Sequence, residues 1–230
     1  MTVAVITFPG SNCDRDCVTV MNNVVGVAAC RVWHGDTSLP AETRAVILPG
    51  GFSYGDYLRA GAMARLSPIM SAVHSFAQNG GPVLGICNGF QILCEVGLLP
   101  GALLPNRSGR FVCRHVRLKV GSAPKGLLAA FKPGEELTLP IAHGEGNYFA
   151  DEATLGALED EDKIAFTYID ADESGNAMVN GSRRSIAGLV GGPTHNVVGL
   201  MPHPERRSEE RLGGIDGLPL MQALVGGGLS

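Results

Sequence analysis

Short apolar runs recur along this chain, most of them bounded by turn residues. Val3–Phe8 ends at Pro9-Gly10, Ala45–Leu48 ends at Pro49-Gly50-Gly51, and Val83–Ile86 follows Gly80-Gly81-Pro82. Runs that are apolar throughout suit strands buried on both faces, as in a parallel sheet. Ile164–Tyr168, Ile186–Val190 and Val197–Met201 extend the same pattern. Val116–Val120 and Leu137–Ile141 alternate instead, which predicts strands with one wet face. Between the early strands the period changes. After Ser67-Pro68, read as an N-cap and a first-turn proline, Ile69, Met70, Val73, Phe76 and Ala77 recur at helical spacing. Phe90, Leu93, Cys94 and Val96 predict a second helix, stopped at Gly97. Strands alternating with helices through residue 100 imply right-handed βαβ units, and the strand-richer second half predicts antiparallel additions. The expected fold is α/β, a three-layer sandwich with a mostly parallel central sheet. No linker, repeat or low-complexity tract divides the chain, so residues 1–230 read as a single domain.

Composition narrows the function classes. With 45% hydrophobic and 17% charged residues the chain can build a core, which sets disorder aside. The net charge is −4 and the basic residues are scattered, so no nucleic-acid-binding face is expected. No apolar stretch approaches the roughly 20 residues of a membrane span, and Met1–Gly10 lacks the charged start and cleavage site of a signal peptide. A cytoplasmic protein is the expectation. Six cysteines are present, Cys13, Cys17, Cys30, Cys87, Cys94 and Cys113, and no CxxC pair suggests a zinc ribbon. Most read as small core hydrophobes; Cys87 does not.

Gly85-Ile86-Cys87-Asn88-Gly89-Phe90-Gln91 follows a predicted strand and opens a predicted helix. This is the pattern of a nucleophile elbow with Cys in place of Ser. A sharp strand-to-helix turn crowds the backbone on both sides, which calls for Gly85 and Gly89. It pushes the sulfur out at the C-terminal edge of the sheet, over a helix N-terminus that favours thiolate. The N–H of Asn88 is then placed for an oxyanion. Met201-Pro202-His203-Pro204-Glu205-Arg206 follows another strand, and in an extended chain His203 and Glu205 project on one side, the carboxylate orienting the imidazole. By spacing alone a loop histidine with a surface glutamate is the more common outcome; the pair gains meaning beside Cys87. Pro49-Gly50-Gly51-Phe52-Ser53-Tyr54-Gly55-Asp56 is either an ordinary glycine turn or the source of a second oxyanion N–H. His143-Gly144-Glu145-Gly146-Asn147 is either a tight turn or a ligand-binding one. His34, His74, His115 and His195 have no partner at motif spacing.

The Cys87 elbow and the His203/Glu205 segment together resemble the triad of the class I glutamine amidotransferases. The strings at 9–14, 50–59 and 143–147 narrow the resemblance to the stand-alone glutaminase subunits of phosphoribosylformylglycinamidine synthases, and it runs from Val3 to about Ala223. The tail at Gly226-Gly227-Gly228 and the stretch Gly191–His195 depart from it. The resemblance implies that Cys87 attacks the side-chain amide of L-glutamine, that His203 moves the protons and that Glu205 orients it. Gly51, Phe52, Asn88, Gln91, His143 and Gly144 would line the glutamine pocket. It also implies two partners, a large ATP-dependent synthetase and a small bridging subunit. No cofactor or metal is expected in this subunit, ATP and Mg being used by the synthetase, and no nucleic acid or membrane is involved. The same glutaminase serving another synthetase, a redox protein built on the elbow cysteine, and a scaffold subunit are the rival readings.

Overall fold

The computed structural model describes residues 2–226; the tail glycines beyond Gly226 lie outside it. Eleven strands and five α-helices are present among the described residues. The strands are β1 (Thr2–Thr7), β2 (Ala29–Trp33), β3 (Thr43–Leu48), β4 (Val83–Ile86), β5 (Ala102–Leu104), β6 (Val112–Val120), β7 (Glu136–His143), β8 (Asn147–Phe149), β9 (Ile164–Tyr168), β10 (Ile186–Gly191) and β11 (Val197–Leu200). The helices are α1 (Asp14–Thr19), α2 (Ile69–Gln78), α3 (Asn88–Glu95), α4 (Glu152–Asp160) and α5 (Leu218–Ala223).

Nine strands form one sheet in the order β2-β1-β3-β4-β11-β10-β9-β6-β7, and β5 pairs with β8 separately. The first five of that order run parallel, and the remaining neighbours pair antiparallel. Only β10 and β6 therefore point against the rest, and the sheet is mostly parallel in direction, as the sequence predicts. The continuously apolar strands β1, β3, β4, β10 and β11 are buried along nearly their whole length, whereas β6 and β7 bury alternate residues. The period of the pattern thus decided which strands lie at the centre and which at the wet end. The crossovers β1→β2 and β3→β4 move in opposite directions, so right-handed connections put α1 and α2 on opposite faces. Helix α3 packs on β3, β4 and β11.

Several elements differ from the sequence pattern. The strand β2, the helices α1 and α4 and the small β5–β8 pair were not expected. α1 continues into a π turn over Val20–Val25, a Val- and Asn-rich stretch whose period gives no helical signal. No helix links β2 to β3; residues 34–42 cross over β1 as a loop, so the βαβ alternation is incomplete. Ser67 precedes α2 in an extended conformation, as an N-cap should, but its hydroxyl does not cap. It lies 2.9 Å from the Tyr54 hydroxyl instead. A side-chain cap does open α4, where Asp151 accepts the Thr154 N–H at 2.7 Å.

Candidate active site

Because β1, β3, β4, β11 and β7 share one direction, their C-terminal ends meet at one edge of the sheet. That edge carries every residue singled out by the elbow, the Pro-His-Pro-Glu segment and the two glycine-rich turns.

Cys87 has φ 52° and ψ −105°, a strained left-handed geometry that a non-glycine residue adopts only when its surroundings enforce it. Here β4 and α3 enforce it from both sides. A Cβ at Gly89 would strike the Leu48 carbonyl, and one at Gly85 would lie 2.5 Å from the Leu93 side chain, so both flanking glycines are sterically required. The Cys87 N–H remains in the sheet, bonded to the Leu200 carbonyl at 2.8 Å. Asn88 opens α3, and its N–H is one of the first-turn donors that a helix leaves without an internal partner. Its side chain points to other work: Oδ1 accepts the Ser53 N–H at 3.1 Å, and Nδ2 donates to Gln91 at 2.9 Å and to Asp56 at 3.2 Å.

His203 and Glu205 form a buried pair, with Nδ1 donating to Glu205 Oε1 at 2.7 Å. The reason differs from the one the spacing suggests. The chain is extended only to His203; Pro204–Arg207 is a 3₁₀ turn that brings Glu205 back under the ring. His203 Nε2 has no protein partner, nor has Glu205 Oε2. Burial by itself lowers the proton affinity of His203, but the charges of Glu205 and Cys87 and the Cys13 sulfur outweigh it and hold His203 well above its ordinary value. A histidine that holds its proton this way can pass it to a departing group.

Two cavities, of about 160 and 270 Å³, meet at Cys87 and share Gly51, Phe52, Phe111 and Ala142 in their walls. The smaller also touches Cys13, His203 and Arg206; the larger also touches Gln91, His143 and Gly144. Every predicted site residue except Asn88 and Glu205 thus borders one hollow or both. Another hollow, about 540 Å³ along residues 30–40, lies at the β2 edge and holds none of them.

The turn after β7 is built on Asn106. Its Oδ1 accepts from His143 Nδ1 at 3.1 Å and from the Gly146 N–H at 3.0 Å, and its Nδ2 donates to the His143 carbonyl at 2.9 Å. His143 is buried, and burial together with the charge of His203 lowers it to about 4. It is neutral, with the proton on Nδ1. Gln91 Nε2 donates to the Glu145 carbonyl at 2.6 Å, so this side chain shapes the larger cavity by tying α3 to the turn. Asp56 and Glu145 also line that cavity. Burial, then the Glu145 charge, push Asp56 up to about 6, against the Asn88 amide. Neither carboxylate has an ion-pair partner among the described residues.

Sequence reasoning missed Cys13, Asp56, Phe111, Glu145 and Arg206. Cys13 sits on the loop after β1, 3% exposed, with its sulfur 3.9 Å from His203 Nδ1. Cys13, His203 and Glu205 place ligand-type atoms within 4.8 Å of one another. Arg206 Nη2, however, donates to the Cys13 sulfur at 3.1 Å, so the chain's own cation answers the cluster. Position after a strand in a Gly-Ser-Asn turn was the one signal available for Cys13. Of the other cysteines, Cys17 is buried, Cys30 and Cys94 are half-buried and Cys113 is exposed on β6, so the expectation of core packing holds for only part of the set.

An elbow cysteine and a His–Glu pair on the C-terminal edge of such a sheet define the amidotransferase class that the motifs resemble. Residues 1–212 match the family model of the CobB/CobQ-like glutamine amidotransferase domain. The match narrows further: the chain is 53% identical over 227 residues to a Rubrobacter xylanophilus protein named phosphoribosylformylglycinamidine synthase subunit PurQ, covering 99% of each. A Rhodospirillum rubrum protein of the same name is 53% identical over 227 residues, covering 98% of each. Among solved structures, that of PurLQS from Thermotoga maritima superposes with a TM-score of 0.83 at 41% identity over 97% of both chains. A glutamine amidotransferase from the same organism, at 16% identity and TM-score 0.64 over 98% of both chains, shares the fold. The chain belongs to the PurQ family of glutamine amidotransferases.

Proposed function

We propose that this chain is the glutaminase subunit of a phosphoribosylformylglycinamidine synthase, taking ammonia from glutamine through Cys87, His203 and Glu205. The carrying observation is the buried His203–Glu205 pair, its Nε2 left free beside the cavity wall that holds the elbow sulfur. The Cys87 thiolate attacks the amide carbon of the glutamine side chain. The oxyanion that forms would take the N–H groups of Asn88 and Gly51; one such donor is typically worth about 10²–10³ in rate. The His203 imidazolium gives its proton to the departing nitrogen, and ammonia leaves behind a thioester. His203, now neutral, takes a proton from water as it attacks the thioester, releasing glutamate and restoring the thiolate–imidazolium pair. Glu205 holds the ring with Nε2 toward the sulfur throughout.

The amino-acid end of glutamine fits the larger cavity, where Phe52, Gln91, His143 and Gly144 form walls and Asp56 and Glu145 offer negative charge to an ammonium. Ammonia passes to a large ATP-dependent synthetase, with a small bridging subunit completing the complex. ATP and Mg act in the synthetase, which converts formylglycinamide ribonucleotide to formylglycinamidine ribonucleotide. The relatives' names and the PurLQS likeness support these partners. The chain works in the cytoplasm as one domain; no described helix is long and apolar enough to cross a membrane.

Glutamine labelled with heavy nitrogen in its amide tests the whole assignment. An extract depleted of this chain receives formylglycinamide ribonucleotide, ATP and either wild type or Cys87→Ala. Labelled amidine product with wild type alone, and rescue of Cys87→Ala by added ammonium, is expected. Glutamate without labelled amidine would discard the acceptor, and labelled product from Cys87→Ala would discard the nucleophile.

A further inference from the structure

The motif Pro9-Gly10-Ser11-Asn12-Cys13-Asp14 has no part in the chemistry so far, yet it is stitched into the site. The N–H groups of Asn12 and Cys13 both donate to the Gly50 carbonyl at 3.1 Å. In return, Phe52 N–H donates to the Gly10 carbonyl at 2.9 Å and Tyr54 N–H to that of Pro9 at 2.7 Å. The loop after β1 and the loop after β3 therefore move as one body, and Cys13 is held where that body meets His203.

Four contacts extend from there. The Cys13 sulfur abuts His203 Nδ1 at 3.9 Å and receives Arg206 Nη2 at 3.1 Å. Arg206 Nε lies 3.8 Å from Glu205 Oε1 and 3.6 Å from Asp16 Oδ2 on α1. The imidazole is thus gripped on its Nδ1 side by sulfur, carboxylate and, through them, guanidinium, leaving Nε2 without a protein bond. The two cysteines of this cavity are not interchangeable. Cys13 touches the nitrogen whose hydrogen already belongs to Glu205, so it has no base to activate it, whereas Cys87 shares a cavity with the ring, whose Nε2 is without a protein bond.

We infer that Cys13 and Arg206 are positioning residues of the glutaminase site, which fix the His203 ring between Glu205 and Cys87 and balance the charge around it. This rests on the Cys–His–Glu reading above. The titratable and charged groups facing His203 are Glu205 and Arg206 on its own turn, Cys87 at the elbow, Cys13 on the β1 loop and His143 at the end of β7. The two residues have opposite electrostatic senses. The Cys13 sulfur favours protonated His203. A guanidinium beside Glu205 weakens the carboxylate's hold on that proton.

The test is glutamine hydrolysis by the complex with the synthetase and bridging subunit, across pH, for wild type and the variants Cys13→Ala, Cys13→Ser, Arg206→Met and Arg206→Lys. Cys87→Ala serves as the reference: if it retained full hydrolysis, the underlying reading would fail and the inference with it. With that reference inactive, Cys13→Ala and Arg206→Met are expected to lose about ten- to a hundredfold in kcat with KM within about threefold. Cys13→Ser and Arg206→Lys, which keep a donor–acceptor contact, should recover most of the loss. The alkaline limb of the kcat profile should move down in Cys13→Ala and up in Arg206→Met, each by about half a unit, Arg206 being part-exposed and screened. Wild-type kcat and profile in both variants, or equal losses with both limbs moving the same way, would overturn the inference. Melting temperatures identify a variant that fails to fold, and for it the Ser or Lys form carries the measurement.

Discussion

Gly50 is the position where the packing around His203 is most open to a single-methyl test. Its backbone is not in the left-handed region, so alanine brings no conformational penalty there, only volume. A Cβ built on Gly50 lies 2.7 Å from His203 Cε1 and 3.1 Å from the Cys13 sulfur. Ordinary contact begins at 3.4 Å, so the ring must retreat by about 0.7 Å or the loop must do so. The loop is held, since the Gly50 carbonyl accepts both the Asn12 and Cys13 N–H groups. The ring is held by its 2.7 Å bond to Glu205 and by the looser 3.9 Å contact with the Cys13 sulfur, and it is the softer element. Misplacement of a catalytic group by about 1 Å costs on the order of a hundredfold, near 2.7 kcal/mol of transition-state stabilisation. Overpacking of this kind costs about 1–3 kcal/mol of stability, which for a chain of this size lowers Tm by roughly 2–12 °C. Gly50→Ala should therefore fold, bind glutamine with little change in KM, and hydrolyse it about a hundredfold more slowly in the assembled complex. The assay is glutamate release with the synthetase present, alongside a thermal melt. A kcat within threefold of wild type, with an unshifted melt, would show that the close approach of Gly50 to His203 does not exist in the working enzyme.

Three further outcomes follow from the same geometry. His143 is lowered to about 4 by burial and by His203, against an ordinary value of 6.5. The unfolded chain therefore binds a proton that the folded one refuses, and stability is lost as pH falls from about 6.5 toward 4, by roughly 3 kcal/mol. Denaturant midpoints of wild type and His143→Gln across that range should diverge accordingly, and parallel curves would refute it. Asp56→Asn removes one of two carboxylates of the larger cavity that have no ion-pair partner among the described residues. It should raise KM for glutamine about tenfold or more with kcat less affected, as for a lost charge-assisted hydrogen bond; an unchanged KM in steady-state kinetics would remove Asp56 from the pocket. Gly89→Ala forces a methyl onto the Leu48 carbonyl at the elbow. Its denaturation midpoint should reveal a loss of at least about 3 kcal/mol or failure to fold, and a near-native midpoint would mean the elbow is looser than described.

Much of this molecule is written locally. The runs at Val3–Phe8, Ala45–Leu48, Val83–Ile86 and Val197–Met201 are strands because continuous apolarity is tolerated only where both faces are buried. The elbow at Cys87 was legible for the same reason. Its glycines, its preceding strand and its following helix occupy consecutive positions, and their steric requirement can be stated without knowing what packs on them. His203 and Glu205 were legible as a pair, although the 3₁₀ turn that joins them was not, because proline spacing permits both an extended and a turned chain. The helix α1 escaped notice because its six residues, Asp14–Thr19, are too few and too polar to show a helical period, and the valines and asparagines of the π turn that continues it add none.

What the tertiary structure alone decided is the company these residues keep. Cys13 meets Arg206 and His203 across about 190 positions of sequence, and Asp56 meets Glu145 across 89. No local pattern encodes such meetings. They arise from strand order and from strand direction, which brings the ends of β1, β3, β4, β11 and β7 to one edge. The paired glycines at 50 and 51 show the difference most directly. By sequence they read as room for a ligand; in the fold Gly51 borders both cavities, and the pair also makes room for the chain itself, admitting the Cys13 loop and the His203 ring where any larger side chain would hold them apart. The reactive chemistry of Cys87, His203 and Glu205 was readable along the chain, because it depends on atom type and local backbone. The fold determined their proton affinities and partners, because charge, burial and contact depend on distances in space that no spacing along the chain sets.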